Sequence, residues 1–258
     1  LLSDLASNLL DAQRHASAYG YFEQLLALRR KQMDGNLLRY TVPLANSALN
    51  LVHLGDFAEA RRRLDEALGH YDRMFDAPNS YRAAARLIRG MLLTRQERFD
   101  AALAEVDEST LEWALSIGED HAEFPYKAYF RMEVMDAAGR SGQAESEAIR
   151  AMALFTPMAA DHRDKMVKIE SMLARTACLR GDIERGTALI SSARIRAENP
   201  SSHDLIILAG LEEAHANCLV AQGRLDAALA ALDAADRFNA RYAPGNARDL
   251  ARRAALRA

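Results

Sequence analysis

The stretch Leu54-Gly55-Asp56-Phe57-Ala58-Glu59-Ala60-Arg61-Arg62-Arg63-Leu64-Asp65-Glu66-Ala67-Leu68 decides the fold. It reads as a tight turn feeding a helix, with Ala60, Leu64, Ala67 and Tyr71 on one face. The chain then repeats it. Gln96-Glu97-Arg98-Phe99-Asp100-Ala101-Ala102 is a second copy, and Ala138-Gly139-Arg140-Ser141-Gly142-Gln143-Ala144 a third. Arg180-Gly181-Asp182-Ile183-Glu184-Arg185-Gly186 and Gln222-Gly223-Arg224-Leu225-Asp226-Ala227-Ala228 follow. The turn falls at 55, 97, 139, 181 and 223, a constant step of 42 residues. One further step back lands on Gln13, in a fainter copy ending at Ala18, Phe22 and Leu25. A fixed period of this length is the mark of a helical repeat array, in which each unit packs on its neighbours.

Composition agrees. Half of the 258 residues are hydrophobic and only six are proline, which favours an almost entirely helical chain with ample apolar surface to bury. A net charge of −3 gives no broad electrostatic reason for nucleic-acid binding. No apolar run is long enough to span a bilayer. The chain opens Leu1-Leu2-Ser3-Asp4 without a methionine or signal pattern, which reads as a piece of a longer protein. Much arginine and alanine beside few lysines reads as a GC-rich bacterial source. Localisation stays open between cytoplasm and periplasm. Cys178 and Cys218 each lie in an apolar helical stretch and read as small buried packing side chains. A disulfide between adjacent helices is the alternative.

Twelve helical segments follow from the spacing. They run over about 1–11, 15–32, 37–54, 57–75, 80–96, 99–117, 123–138, 143–156, 161–180, 183–198, 202–222 and 225–242. Asp34-Gly35-Asn36, Pro78, Pro157, Asn199-Pro200 and Pro244-Gly245-Asn246 punctuate them. The array divides into units of about 1–34, 35–77, 78–119, 120–158, 159–200 and 201–243, a single domain, with a capping helix over 245–258. Stacking the copies gives fixed columns. Ala60, Ala102, Ala144, Gly186 and Ala228 are always small, as are Ala67, Ser109, Ala151, Ala193 and Ala235. Between them runs a filler column of Leu64, Val106, Ala148, Ile190 and Leu232. In the preceding helix, Ala48, Gly90, Met132, Ala174 and Ala216 are mostly small, and Leu51, Leu93, Met135, Ala177 and Leu219 are apolar. Helix pairs need such alternation to interlock at close axial distances.

Ala48, Leu51, Ala60, Leu64 and Ala67, at offsets 3, 12, 16 and 19 from the first, resemble the tetratricopeptide repeat (TPR). The 42-residue unit is similar to the lengthened form in kinesin light chain and to arrays attached to bacterial signalling proteins. Asp120-His121, Asp161-His162 and Ser202-His203 echo the Asp-His-Pro loop of that form, without its proline. The resemblance implies an all-α, right-handed α-α superhelix of about six helix pairs, whose first helices line a concave groove.

No catalytic constellation emerges. The chain lacks GxSxG, Walker-type, GxGxxG and HExxH motifs, and none of the seven histidines forms a ligand-spaced group. His121, His162 and His203 would be held on the order of 20 Å apart by the pitch of helix pairs, too far to share a metal. Glu212-Glu213 and Glu145/Glu147 read as solvated helix faces, as do Arg29-Arg30-Lys31, Arg61-Arg62-Arg63 and Arg252-Arg253. Trp113, in the column of Tyr71 and Phe155, reads as core. Neither an enzyme, a metal site nor a cofactor is expected.

Under the resemblance, the groove is apolar early, aromatic in the middle and mixed-charge later. Leu87, Met91, Tyr126, Tyr129, Glu133, Lys168 and Arg175 are its candidate partner-binding residues. The tyrosine rings would supply contact area and the cations would hold a carboxylate of an extended peptide or helix. The same tyrosines would equally serve to fill a wide space between helices. The resemblance thus implies a non-catalytic protein- or peptide-binding scaffold or sensor domain of a bacterial signalling protein, such as the regulatory part of a Ser/Thr kinase. It also admits the ligand-sensing half of a bacterial transcription regulator, a small-molecule ligand, or an oligomerising scaffold joined through Leu1, Leu5 and Leu9. Direct nucleic-acid binding and a membrane segment are not expected.

Overall fold

The computed structural model describes residues 2–11, 14–31, 36–118, 125–198 and 205–242. Among these residues there are twelve α-helices and no strand. They are α1 (Leu2–Asp11), α2 (His15–Lys31), α3 (Leu38–Leu54), α4 (Phe57–Met74), α5 (Ser80–Arg95) and α6 (Phe99–Ile117). Then come α7 (Pro125–Ala137), α8 (Ser141–Phe155), α9 (Arg163–Leu179), α10 (Ile183–Ala197), α11 (Leu205–Ala221) and α12 (Leu225–Tyr242). A short 3-10 turn, Thr156–Met158, follows α8. The last stretch, expected to form a cap over 245–258, lies outside the described residues.

The 42-residue step is a backbone geometry as much as a sequence pattern. Gly55, Glu97, Gly139, Gly181 and Gly223 all take positive φ, the left-handed conformation that turns a chain out of a helix. In every copy the next amide reaches back five residues to close the helix end. Asp56 N–H donates to Leu51 O at 3.0 Å. Arg98 to Leu93, Arg140 to Met135, Asp182 to Ala177 and Arg224 to Leu219 do the same, each at 2.9 Å. This is the hydrogen bond of a Schellman closure, which satisfies a carbonyl left over at the helix C-terminus. Glu97 is the one non-glycine residue with positive φ among those described, at φ 59°. The helix that follows starts on an aspartate in two copies, where Asp56 accepts from Glu59 N–H and Asp182 from Arg185 N–H, each at 3.2 Å.

The columns read from the sequence are buried. Ala60, Ala102 and Ala144 have no exposed surface, Ala228 is 2% exposed and Gly186 is buried. The columns led by Ala67, Leu64, Ala48 and Leu51 are buried throughout as well. Small residues let helix axes approach, and the larger ones between them fill the remaining space.

The chain forms two compact units, residues 1–140 and 141–258, divided at the turn of the third strict copy. In the first, α3, α4 and α5 enclose a core of Leu44, Leu51, Leu64, Tyr71, Ile88 and Leu92. A smaller cluster of Ala6, Ala18 and Phe22 packs α1 on α2. In the second, Val167, Ala174, Ile190, Leu211 and Ala214 join α9, α10 and α11, and Leu219, Ala228 and Leu232 join α11 to α12.

Three expectations about side chains need correction. Cys178 and Cys218 are not free packing residues: they form a disulfide joining α9 to α11, with Cα atoms 4.9 Å apart. Arg63 is not on a solvated face. It is 4% exposed, while Arg62 beside it has a side chain 56% exposed. Helical register explains the difference, since 60, 63, 64, 67 and 71 share one face and 62 points away from it. Trp113, expected in the core, is half-buried, whereas its column mates Tyr71 and Phe155 are fully enclosed.

Candidate functional site

The first helices of the copies, α3, α5, α7, α9 and α11, carry the candidate binding residues. Leu87 on α5 packs against Leu93, Val106 and Val134, so its apolar surface serves the contact among α5, α6 and α7. Met91, one turn on, is half-buried. On α7, Tyr126 is half-buried and stacks on Phe130 with ring centroids 6.1 Å apart. Tyr129 is only 5% exposed and meets Phe130 edge-on at 5.3 Å. Its hydroxyl donates to Glu133 Oε1 at 3.3 Å, a helical i,i+4 pair. Tyr129 thus fills the space between helices and orients Glu133, while Tyr126 offers a partly open ring. Lys168 and Arg175 lie on α9 of the second unit, the first exposed and the second half-buried.

The structure also shows polar features that composition concealed. Arg63 reaches two other helices from α4. Its Nε donates to Glu59 Oε1 at 2.8 Å, its Nη1 to Ser47 Oγ of α3 at 3.1 Å, and its Nη2 pairs with Glu23 of α2 at 2.7 Å. Arg62 also chelates Glu59, at 2.6 and 2.8 Å. These hydrogen bonds, first from Arg62 and then from Arg63, hold the Glu59 carboxyl at about 2, well below its ordinary value. Nearby, Arg30 donates to the Tyr40 hydroxyl, which donates to Glu66, both at 2.9 Å. Burial, acting before these hydrogen bonds, raises the Tyr40 phenol. A cavity of about 190 Å³ lies among Glu23, Tyr40, Glu59, Arg30, Arg62 and Arg63. Its guanidinium groups are already engaged by Glu23, Glu59, Glu66 and Tyr40, so the network stitches α2, α3 and α4 together.

Other polar groups have equally specific settings. His15 stacks on His53 at 4.4 Å and hydrogen-bonds Asn50, joining α2 to α3. His162 packs its ring 5.2 Å from Phe155, while His121 and His203 lie outside the described residues. Glu213, expected on a solvated face, is 4% exposed, because α11 is enclosed on that side by its neighbours. Glu212 is held below its ordinary value: burial pushes it up, but His215 and Arg194 outweigh that. Glu145 is paired with Arg180 and Arg185 and so is not simply solvated. No group of three or more His, Cys, Asp or Glu side chains is placed to hold a metal among the described residues. A second cavity, of about 250 Å³ beside Val42 and Arg29, is also below the usual size of a small-molecule pocket. Among the described residues no helix is long and apolar enough to cross a membrane.

No family model and no curated protein matches the chain. Solved structures do. BtubC (BKLC) from P. vanneervenii superposes with a TM-score of 0.66 at 16% identity, covering 86% of this chain and 89% of that one. A Rap protein complexed with competence and sporulation factor gives 0.70 at 14% identity, covering 98% of this chain and 74% of that one. A putative kinesin light chain of Podosopora anserina with nearly identical TPR-like repeats gives 0.54 at 15%, over 77% of this chain and 94% of that one. The fold is a TPR-like helical repeat. The likeness is one of architecture.

Proposed function

We propose that this TPR-like chain is a non-catalytic sensor module of a signalling protein that captures a peptide or protein segment on its first helices. The observation carrying the reading is the register of those helices. Each presents half-buried or exposed residues beside a buried seam, among them Tyr126 and Glu133 on α7 and Lys168 and Arg175 on α9. A partly open ring, as on α7 of the first unit, suits a peptide by contact area, and cations, as on α9 of the second, suit an acidic group; each is weighed within its own unit. The likeness to a Rap protein solved with competence and sporulation factor supports the same class of partner. Attachment to a bacterial Ser/Thr kinase, as its regulatory arm, extends this reading.

Selection from random peptide libraries tests the proposal without a named partner. The libraries would be selected on the folded chain and counter-selected on the Tyr126→Ala/Arg175→Ala variant. Peptides that bind the parent at least tenfold better than the variant, at equal helical content and melting temperature, support the proposal. Peptides that bind both equally place the binding face elsewhere.

A second reading, a scaffold that self-associates, rests on Leu5, which is 38% exposed on α1. Leu9 on the same helix packs inward against Phe22, which shrinks that apolar surface. Sedimentation showing only monomer at high concentration would dispose of it.

A further inference from the structure

The small-residue column leading the second helices reads Ala60, Ala102, Ala144, Gly186 and Ala228. Four copies tolerate a methyl group there and the fifth does not. The reason lies in what faces Gly186. A Cβ on that residue would fall 2.1 Å from Cys178 Sγ and 3.2 Å from Cys218 Sγ, with Ala174 O at 3.1 Å. The disulfide occupies the volume that an alanine methyl fills in the other copies. Helix α10 therefore passes directly over the cross-link, and glycine at 186 is the residue that allows it.

We infer that the Cys178–Cys218 disulfide is a permanent structural staple of the second unit, with Gly186 as its built-in clearance, and that this chain matures where thiols are oxidised. Three observations converge. The cysteines join α9 to α11, the first helices of consecutive copies, across a separation of 40 residues. Cys178 is 2% exposed and Cys218 1%. Both belong to the apolar cluster with Val167, Ile190, Ala193 and Leu211. A bond so enclosed is out of reach of a thiolate reductant while the helices stay packed, which suits a staple and not a reversible switch. Its formation must precede the final seating of α10. Two thiols then lose two protons and two electrons to a disulfide oxidant, protein or small molecule, which leaves as two thiols. Such bonds persist mainly in secreted, periplasmic or cell-surface settings.

The experiment is a cycle on the full chain. G186A would be introduced with the cysteines intact and again in a C178A/C218A background. With the cysteines present, G186A should prevent cross-linking or lower the melting temperature by several degrees. Without them it should be neutral or raise it slightly, as alanine is the better helix former. Equal destabilisation in both backgrounds would overturn the clearance argument and assign the glycine to the approach of Ala174 O. Should the alanine pair fail to fold, C178S/C218S replaces it. In parallel, the parent chain would be directed to the bacterial cytosol or to the periplasm and alkylated after denaturation. The expected result is two alkylated thiols in cytosolic material and none in periplasmic material. The cross-linked form should melt about 10 °C higher, a shift that reductant abolishes only after unfolding. Two reactive thiols in the periplasmic product would overturn the staple, and a fully cross-linked cytosolic product would overturn the compartment.

Discussion

Both units tie their helices with ion pairs, and the second adds a chemistry that the first, which has no cysteine, cannot use. In the first, the buried Arg63 of α4 ties Glu23 of α2 and Ser47 of α3 into one partly exposed network that also includes Glu59 and, through Arg62, Glu66. In the second, Arg196 of α10 pairs with the buried Glu170 of α9 and Arg194 with Glu212 of α11, and α9 and α11 are in addition joined by a covalent bond beneath α10. The column of Arg63 turns apolar only within the second unit: Arg63, Glu105 and Glu147 are charged, Leu189 and Ala231 are not. An ionic seam depends on every partner being present and on pH, because an uncompensated buried charge is costly. A covalent seam depends on neither, but it requires an oxidant once and a cleared volume. One repeat scaffold thus accepts either, provided that the small-residue columns keep the helix spacing.

That contrast can be broken most sharply at Arg63. Arg63→Ala should cost about 2–3 kcal/mol in urea unfolding of the first unit, since it removes the charged hydrogen bonds of a buried guanidinium to Glu23, Ser47 and Glu59, although Glu23 stays partly in water and Glu59 keeps Arg62. A loss below about 1 kcal/mol would show that the seam is held by apolar packing alone. The next effect is acid. Glu59 is depressed in the folded state, so its contribution is complete above its ordinary value near 4.5 and is lost as pH falls towards about 2. Between pH 6 and pH 3 the parent should therefore lose about 1–2 kcal/mol more than Glu59→Gln, after allowance for solvent screening. Glu59→Gln should leave the acid response of the second unit, where Glu212 is also held below its ordinary value, unchanged, and hydrogen exchange resolved by helix would show which unit responds.

The turns offer a smaller test common to both units. Glu97 holds the left-handed position that glycine holds in the other four strict copies. Glu97→Gly should stabilise by about 1 kcal/mol, and Gly181→Ala should destabilise by a similar amount. Opposite signs would mean that Glu97 makes a compensating contact. The smallest expected change is at Arg62, whose side chain is mostly in water. Arg62→Ala should cost about 0.5 kcal/mol, against about 2–3 kcal/mol for its neighbour in sequence.

Much of the fold is legible in the sequence because it is local. Positive φ at 55, 97, 139, 181 and 223 follows from turn chemistry at a fixed step, and the other copies place Glu97 despite its being the wrong residue type. The helix limits agree to within a few residues for the same reason. The candidate site is less legible. Tyr126 and Tyr129 are three apart and look alike in sequence, yet one is partly open and the other nearly enclosed, because rotation about α7 sends them to different neighbours. Lys168 and Arg175 can be assigned to α9, but periodicity does not state what each one faces.

The sequence alone determined the period, the turns, the helices and the small-residue columns, since these depend on residues one to five positions apart and on a pattern stated five times. The tertiary structure decided which arginine of a run of three is buried, which glutamate of a pair is enclosed, and whether two cysteines forty residues apart meet. Those outcomes are set by interhelix distances of an ångström or two and by rotations of a fraction of a turn. Gly186 shows the boundary between the two kinds of information: its place in the column is written in the sequence, and its reason is visible only where the sulfurs lie against it.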